Sequence, residues 1–302
     1  MPVPPGIPAF PVRAPPDHLE RLRHHTGILD DVTHAYLSSP VPVALAHRGG
    51  WLTDDQGVRR TELENTAVAF QHAVDLGYTY LETDVHATRD GVLTAFHDDT
   101  LDRTTDRTGA ISALPYAEVA RARVAGKEPV PLLEDLLGTW PQARFNIDLK
   151  SDGAVLPLLE VLRRTNAWDR VCVGSFDQDR LDRARRLYGP RVATSCGPVD
   201  VARLRVASLS MLLRPIAGRT PVCAQIPLER NGLPLLSRDV IRTAHRIGMQ
   251  VHVWTINEPQ VMERLLDAGV DGIVTDNTSA LRDLLIRRGR WNQDTRPTPK
   301  NG

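Results

Sequence analysis

Cysteine is scarce in this 302-residue chain: three thiols, Cys172, Cys196 and Cys223, with neither close pairing nor metal-type spacing. That pattern excludes a disulfide scaffold and a zinc knuckle, and it reads as reduced core cysteines. Charge imbalance is missing as well. Thirty-seven basic and 37 acidic residues cancel, so nothing in the overall charge favours a nucleic acid or a charged membrane surface as partner. No run of about 18 apolar residues occurs, which argues against a spanning helix. The first 16 residues hold seven prolines and no unbroken apolar stretch, the wrong pattern for a secretory signal. A cytoplasmic location is the resulting expectation. Neither a Gly-x-Gly-x-x-Gly turn nor a Walker lysine loop is present, which weakens a nucleotide-binding fold.

What is present is alternation. Short apolar, β-branched runs at Val43–Ala46, Tyr80–Val85, Val92–Phe96, Arg144–Leu149, Arg170–Gly174, Arg191–Ser195, Cys223–Pro227, Gln250–Thr255 and Gly272–Thr275 read as strands. Amphipathic stretches at Asn65–Leu76, Leu132–Trp140, Ala154–Thr165, Asp179–Tyr188, Val199–Leu213, Ser237–Ile247, Pro259–Ala268 and Ser279–Arg288 read as helices. Gly77, Gly189, Gly248 and Gly269 fall just past helices, where a left-handed residue ends the turn. Strand–helix alternation implies parallel strands with right-handed crossovers. With Val92–Phe96 as an excursion inside one repeat, eight strands remain, and the expected fold is a single-domain α/β (β/α)8 TIM barrel. The expected organisation is a proline-rich arm and helical prelude over residues 1–40, the barrel over 41–289 with a small excursion after His97, and a frayed polar tail over 290–302.

In such a barrel, the C-terminal strand ends face the active site. His47-Arg48-Gly49-Gly50 and His97-Asp98 each follow an apolar run, and Glu82 and Asp84 lie between them, two apart on one strand. A spacing of two puts both carboxylates on one face. Burying them unpaired is costly, and a hard divalent cation relieves that cost; the alternative is a pair of solvated edge acids. Asn146, Asp148 and Lys150 repeat the spacing. Asp148 can be a third oxygen ligand and Lys150 can bind a phosphoryl oxygen, or the two can simply pair with each other. Arg48 suits bidentate contact with phosphate, and its glycines let backbone approach a ligand. Two histidines at strand ends suit general acid and base roles. Trp254 can wall a pocket or pack in the core. His86 is expected to be structural rather than a ligand. His18, His24, His25, His34, His72 and His245 fall in helices or the prelude and are expected to be solvated or structural.

Taken together, His47-Arg48-Gly49, Glu64-Asn65-Thr66, Glu82-Thr83-Asp84, Asp90-Gly91, His97-Asp98, Asn146-Ile147-Asp148-Leu149-Lys150, Ser175-Phe176, Val253 to Asn257 and Gly269 to Asp276 closely resemble the glycerophosphodiester phosphodiesterase family. The resemblance runs from about Ala44 to Leu284. It implies a barrel related to phosphatidylinositol-specific phospholipase C. It also implies one divalent cation, Mg²⁺ or Ca²⁺, held by Glu82, Asp84 and Asp148. His47 and His97 become an acid/base pair, Arg48 and Lys150 phosphate ligands, and Glu64 and Asn65 supports. The implied reaction is hydrolysis of a small-molecule glycerophosphodiester to sn-glycerol 3-phosphate and an alcohol. The family usually carries Glu where this chain has Asp148, one methylene shorter, so the ion sits nearer that strand or binds it through water. A lysophospholipase-D-type activity on the same residues is the first alternative. A non-catalytic binding barrel and a metal-independent hydrolase are the others.

Overall fold

The computed structural model describes residues 34–40, 42–53, 56–217 and 221–291. Eight parallel strands form the barrel: β1 (Val43–His47), β2 (Tyr80–Ala87), β3 (Arg144–Leu149), β4 (Val171–Gly174), β5 (Ala193–Thr194), β6 (Cys223–Pro227), β7 (Gln250–Trp254) and β8 (Gly272–Thr275). Their order around the sheet is β5-β4-β3-β2-β1-β8-β7-β6. Between β5 and β6 there is no ladder. A bridge of Ser195 to Cys223 joins them, with backbone bonds from Val222 N to Thr194 O (3.0 Å) and Cys196 N to Cys223 O (2.9 Å). The fold is therefore a nearly closed (β/α)8 barrel.

Helices cover its outside: α1 (Ala67–Asp75), α2 (Leu133–Thr139), α3 (Val155–Thr165), α4 (Gln178–Tyr188), α5 (Pro198–Ala207), α6 (Arg238–Arg246), α7 (Pro259–Ala268) and α8 (Thr278–Arg287). Local chemistry sets their ends. Thr66, Asp177 and Ser237 accept backbone N–H groups as N-caps, and proline opens α5 and α7. Asn166 and Gly269 end α3 and α7 in the left-handed conformation. Because a parallel strand is covered on both faces, all eight residues of β2 are buried, carboxylates included.

Apolar side chains fill the space between strands and helices in two clusters, one around α1–α4 and one around α5–α8. A third lies inside the barrel, where Leu45, Tyr80, Cys172, Ala193, Cys223 and Val274 meet Tyr36. Tyr36 comes from a 3₁₀ turn, Ala35–Leu37, and its carbonyl accepts the Tyr80 hydroxyl at 2.6 Å. Within the expected helical prelude this turn is the described part; Leu19, Leu22, Ile28, Leu29 and Val32, like the proline-rich arm, lie outside the described residues.

The expected excursion at Val92–Phe96 is present, and two other local expectations need correction. The Val92–Phe96 run forms Leu93–Ala95, antiparallel to the end of β2, and leads into an excursion with its own small core of Phe96, Leu101, Ile111, Val119, Ala122, Val124 and Val130. The helix expected over Val199–Leu213 stops at Ala207 and resumes as a 3₁₀ stretch, Met211–Ala217. Two serines compete for backbone there: Ser208 Oγ donates to Arg205 O at 2.6 Å and Ser210 Oγ accepts from Leu212 N. The tail does not fray at residue 290, since Trp291 packs edge-on against Tyr78 with ring centroids 5.1 Å apart. Among the described residues no helix is long and apolar enough to cross a membrane.

Candidate active site

Strand pairing explains why residues far apart in sequence converge. His47 is in register with Glu82, Glu82 with Asn146, and Asp84 with Asp148. Register partners on parallel strands face the same side, so these groups ring the C-terminal mouth of β1–β3. They line one cavity of about 610 Å³ together with Arg48, His97, Lys150, Phe176 and Trp254. The far wall comes from α5 and the chain after β6, through Val201, Ala202, Arg205, Glu229, Arg230 and Leu235.

After β1 the chain turns through three left-handed residues, Arg48 (φ 53°), Gly49 (φ 88°) and Gly50 (φ 82°). A Cβ on Gly49 would lie 2.7 Å from the Ala69 backbone, and one on Gly50 2.4 Å from Thr278 Cγ2. Only glycine fits either place. The turn aims Arg48 N at Glu82, donating to both its backbone carbonyl and its Oε2 at 3.0 Å. The guanidinium spans two acids: Nη1 donates to Glu64 Oε2 at 3.2 Å, and Nε lies 2.9 Å from Asp84 Oδ2, a close charge contact without hydrogen-bond alignment. Asn65, also left-handed, donates to Asp84 Oδ2 at 3.2 Å and accepts the Thr83 hydroxyl at 2.7 Å.

Each histidine is held by a carboxylate at Nδ1. For His47 the partner is Asp276 Oδ1, at 2.6 Å, itself fixed by Asn257 Nδ2 at 2.8 Å. For His97 it is Asp98 Oδ1, at 2.6 Å, and Asp98 accepts both Nε and Nη2 of Arg103. Arg103 also donates to Glu64. Arg103 thereby ties the His97 loop to the acid that pairs with Arg48. Those hydrogen bonds from Arg103, outweighing partial burial, bring the Asp98 carboxyl down to about 2. Burial alone would depress His47; the nearby Glu82 charge and the Asp276 bond outweigh it and hold the imidazole above its usual value.

The carboxylates divide by their support. Lys150 Nζ lies 2.9 Å from Asp84 Oδ1 and 2.7 Å from Asp148 Oδ2. Burial would raise Asp84, but Arg48 and Lys150 more than compensate and keep it below the usual range. Burial prevails at Asp148, which stays above it despite Lys150. Glu82 is pushed up to about 7 by burial and then by the Asp84 charge. Three carboxylates, Glu82 and Asp84 buried and Asp148 partly buried, thus share two cationic side chains. The shortfall falls on Glu82, and an all-oxygen donor set short of positive charge suits a hard divalent cation. Among the described residues, the three acid or histidine donors gathered within 4.8 Å of one another are a different set, Glu64, His97 and Asp98. The Arg103 guanidinium already bridges its two acids.

All ten residues singled out from the sequence stand at or directly behind this cavity: His47, His97, Glu82, Asp84, Asp148, Arg48, Lys150 and Trp254 line it, and Glu64 and Asn65 support it. Trp254 meets Phe176 edge-on at 5.5 Å, so it walls the pocket. His86 is buried, its Nε2 3.1 Å from His97 O, the structural role expected of it. His34 accepts Tyr36 N and His245 pairs with Asp271; His18, His24 and His25 lie outside the described residues. Sequence reasoning assigned no role to Asp276, Asn257, Asp98 or Arg103. The signal for Asp98 and Arg103 was their place beside His97. For Asp276 it was barrel closure, which sets β8 against β1.

A family model described as "Glycerophosphoryl diester phosphodiesterase family" matches residues 47–280. The chain is 41% identical over 235 residues to Probable glycerophosphodiester phosphodiesterase 2 of Mycobacterium tuberculosis, covering 75% of this chain and 87% of that one. It is 28% identical over 265 residues to Glycerophosphodiester phosphodiesterase of Caldanaerobacter subterraneus subsp. tengcongensis, covering 82% and 98%. In fold it resembles an Oleispira antarctica phosphodiesterase solved in complex with the product sn-glycerol-3-phosphate, with a TM-score of 0.65, 22% identity and coverage of 82% and 97%.

Proposed function

The chain belongs to the glycerophosphoryl diester phosphodiesterase family and is a phosphoric diester hydrolase, and from that premise we propose that it cleaves glycerophosphodiesters to sn-glycerol 3-phosphate and an alcohol by paired histidine catalysis. The catalytic unit is taken as residues 41–289, flanked by 1–40 and 290–302. The observation that carries the reading is the pairing of His47 and His97 with carboxylates at Nδ1 around one cavity that also holds Arg48 and Lys150. With Nδ1 engaged, Nε2 is the nitrogen left for chemistry on each ring.

Arg48 and Lys150 take the phosphoryl oxygens and offset their charge. One histidine removes the proton from the attacking oxygen, either of water, or of the substrate's own glycerol hydroxyl, in which case the cyclic phosphodiester so formed is then opened by water to sn-glycerol 3-phosphate. A phosphorus–oxygen bond forms as the bond to the alcohol breaks. The second histidine gives its proton to the departing alkoxide. Glu82, Asp84 and Asp148 are the residues that would hold one divalent cation, Mg²⁺ or Ca²⁺. When bound, the ion supplies Lewis-acid stabilisation of charge on the phosphoryl group. A phosphate drawing on Arg48 and Lys150 leaves those carboxylates less supported, which is why the donor set fits an ion.

Turnover of a glycerophosphodiester panel with Mg²⁺, with Ca²⁺ and with EDTA tests this proposal. A His97→Ala protein that turns over glycerophosphocholine at the parent rate would sink it. Within a far wall that also carries Arg205, Glu229 and Arg230, the apolar side chains of Val201, Ala202 and Leu235 favour one second reading, a lysophospholipase-D-type reaction. Comparing lysophosphatidylcholine with glycerophosphocholine separates the two.

A further inference from the structure

The barrel exposes large apolar side chains in one neighbourhood beside the cavity mouth. Leu209 and Leu212, just past α5, are 78% and 89% exposed, and Leu233 is 68% exposed. Val199 and Val206 on α5 and Ile216 on the following 3₁₀ stretch are also exposed. Leu233 lies in a hairpin of Glu229–Arg230 with Leu233–Pro234, and Arg205 Nη1 ties α5 to that hairpin by donating to Pro234 O at 2.5 Å. The same two elements line the cavity through Val201, Ala202, Arg205, Glu229 and Arg230. Their inner sides are pocket wall and their outer sides are apolar surface.

Isolated exposed leucines are ordinary, but a cluster rimmed by charge of one sign marks an interaction site. The charge here is one-sided. Between Pro198 and Leu236 the sequence carries Arg203, Arg205, Arg214, Arg219 and Arg230 against two acids, Glu229 and a buried Asp200 already paired with Arg185, in a chain whose net charge is zero. A neutral total conceals a local basic excess. Leucine tips among arginines match the depth profile of a bilayer interface, with side chains in the acyl boundary and guanidinium groups among anionic headgroups.

We propose that the face built by α5, the Met211–Ala217 stretch and the 229–234 hairpin docks on an anionic lipid bilayer, which sets the cavity mouth toward the membrane. The docking stands on surface chemistry and does not depend on which phosphodiester the cavity cleaves.

Co-sedimentation of the full chain with vesicles tests it. The expected result is binding to vesicles of phosphatidylglycerol and phosphatidylcholine, weak binding to phosphatidylcholine alone, and loss of binding as salt rises. An L209D/L212D variant, and independently Leu233→Asp, should lose about tenfold or more of that affinity. Both should keep the parent melting temperature and the parent turnover of glycerophosphocholine, since none of these side chains lines the cavity. A full chain that stays in the supernatant with anionic vesicles overturns the proposal, as does a double variant that pellets like the parent. A concentration-dependent dimer dissolved by L209D/L212D, in place of vesicle binding, overturns it too and makes a second copy the occupant.

Discussion

Oδ1 of Asp276 lies 2.6 Å from Nδ1 of His47, across 229 residues of sequence. The contact exists because β8 is the ladder neighbour of β1, Thr275 in register with Ala46, so that both strands end side by side. Closing the barrel is therefore what completes the first histidine.

Asp276→Asn keeps the shape and removes the charge. The Glu82 charge raises the His47 pKa, and Asp276 raises it as well through both its hydrogen bond and its charge. The limb of the pH–rate profile that belongs to His47 should move to lower pH, and kcat should fall roughly 10²-fold, the scale of general acid–base catalysis. An unmoved limb would show that Asp276 does not act on His47.

Glu82 links metal to stability. Its carboxyl moves from an ordinary 4.5 to about 7 in the fold. Below pH 4.5 both folded and unfolded chains hold the proton, and nothing is lost. Between 4.5 and about 7 only the unfolded chain releases it, so stability falls as pH rises. Above 7 the metal-free protein carries a constant penalty of at most about 3 kcal/mol. In EDTA at pH 8, Glu82→Gln should melt higher than the parent, and at pH 4 the two should agree. Mg²⁺ or Ca²⁺ should raise the parent's melting temperature at pH 8 and leave the variant's unchanged.

Arg103 positions rather than touches. Half exposed, it bridges Asp98 and Glu64. Arg103→Ala should leave thermal stability close to the parent's, because exposed ion pairs contribute about 0–1 kcal/mol. It should lower kcat with little change in KM, because His97 loses the group that fixes its carboxylate. Arg103→Lys keeps the charge without the two-pronged geometry and should restore only part of the loss. Equal kcat in all three proteins would reject the role.

Lys150 is the shared counter-ion of the buried Asp84 and the partly buried Asp148. Lys150→Met should destabilise the metal-free protein by about 3–5 kcal/mol, the usual cost of stranding a buried charge. Chemical denaturation measures this directly. Added divalent ion should recover part of the stability and little of the activity, because the phosphate has lost a ligand.

The sequence made the barrel legible because its strands are short and β-branched, separated by amphipathic stretches. Tyr80–Val85 carried Glu82 and Asp84, and the next strand Asn146, Asp148 and Lys150, each set at a period of two and so on one face of its own strand. What stayed hidden depends on closure or on local competition. Asp276 and Asn257 gain meaning only when β8 meets β1. Arg103 acts through three hydrogen bonds that no periodicity encodes. The break at Ser208 turns on serine side chains that compete with the helix for backbone groups. Neither local pattern nor composition reported the basic, apolar face after α5, because the acids elsewhere in the chain cancel its charge.

Seven of the eight strand borders are ladders, whereas β5 and β6 meet at the single bridge of Ser195 and Cys223. The longest ladder, six pairs from Tyr80–Arg144 to Val85–Leu149, carries the carboxylates. A hoop stitched this unevenly yields at its thinnest stitch. The barrel is therefore most loosely tied between β5 and β6, and amide hydrogen exchange should be fastest along Ala193–Ser195 and Cys223 among the barrel strands.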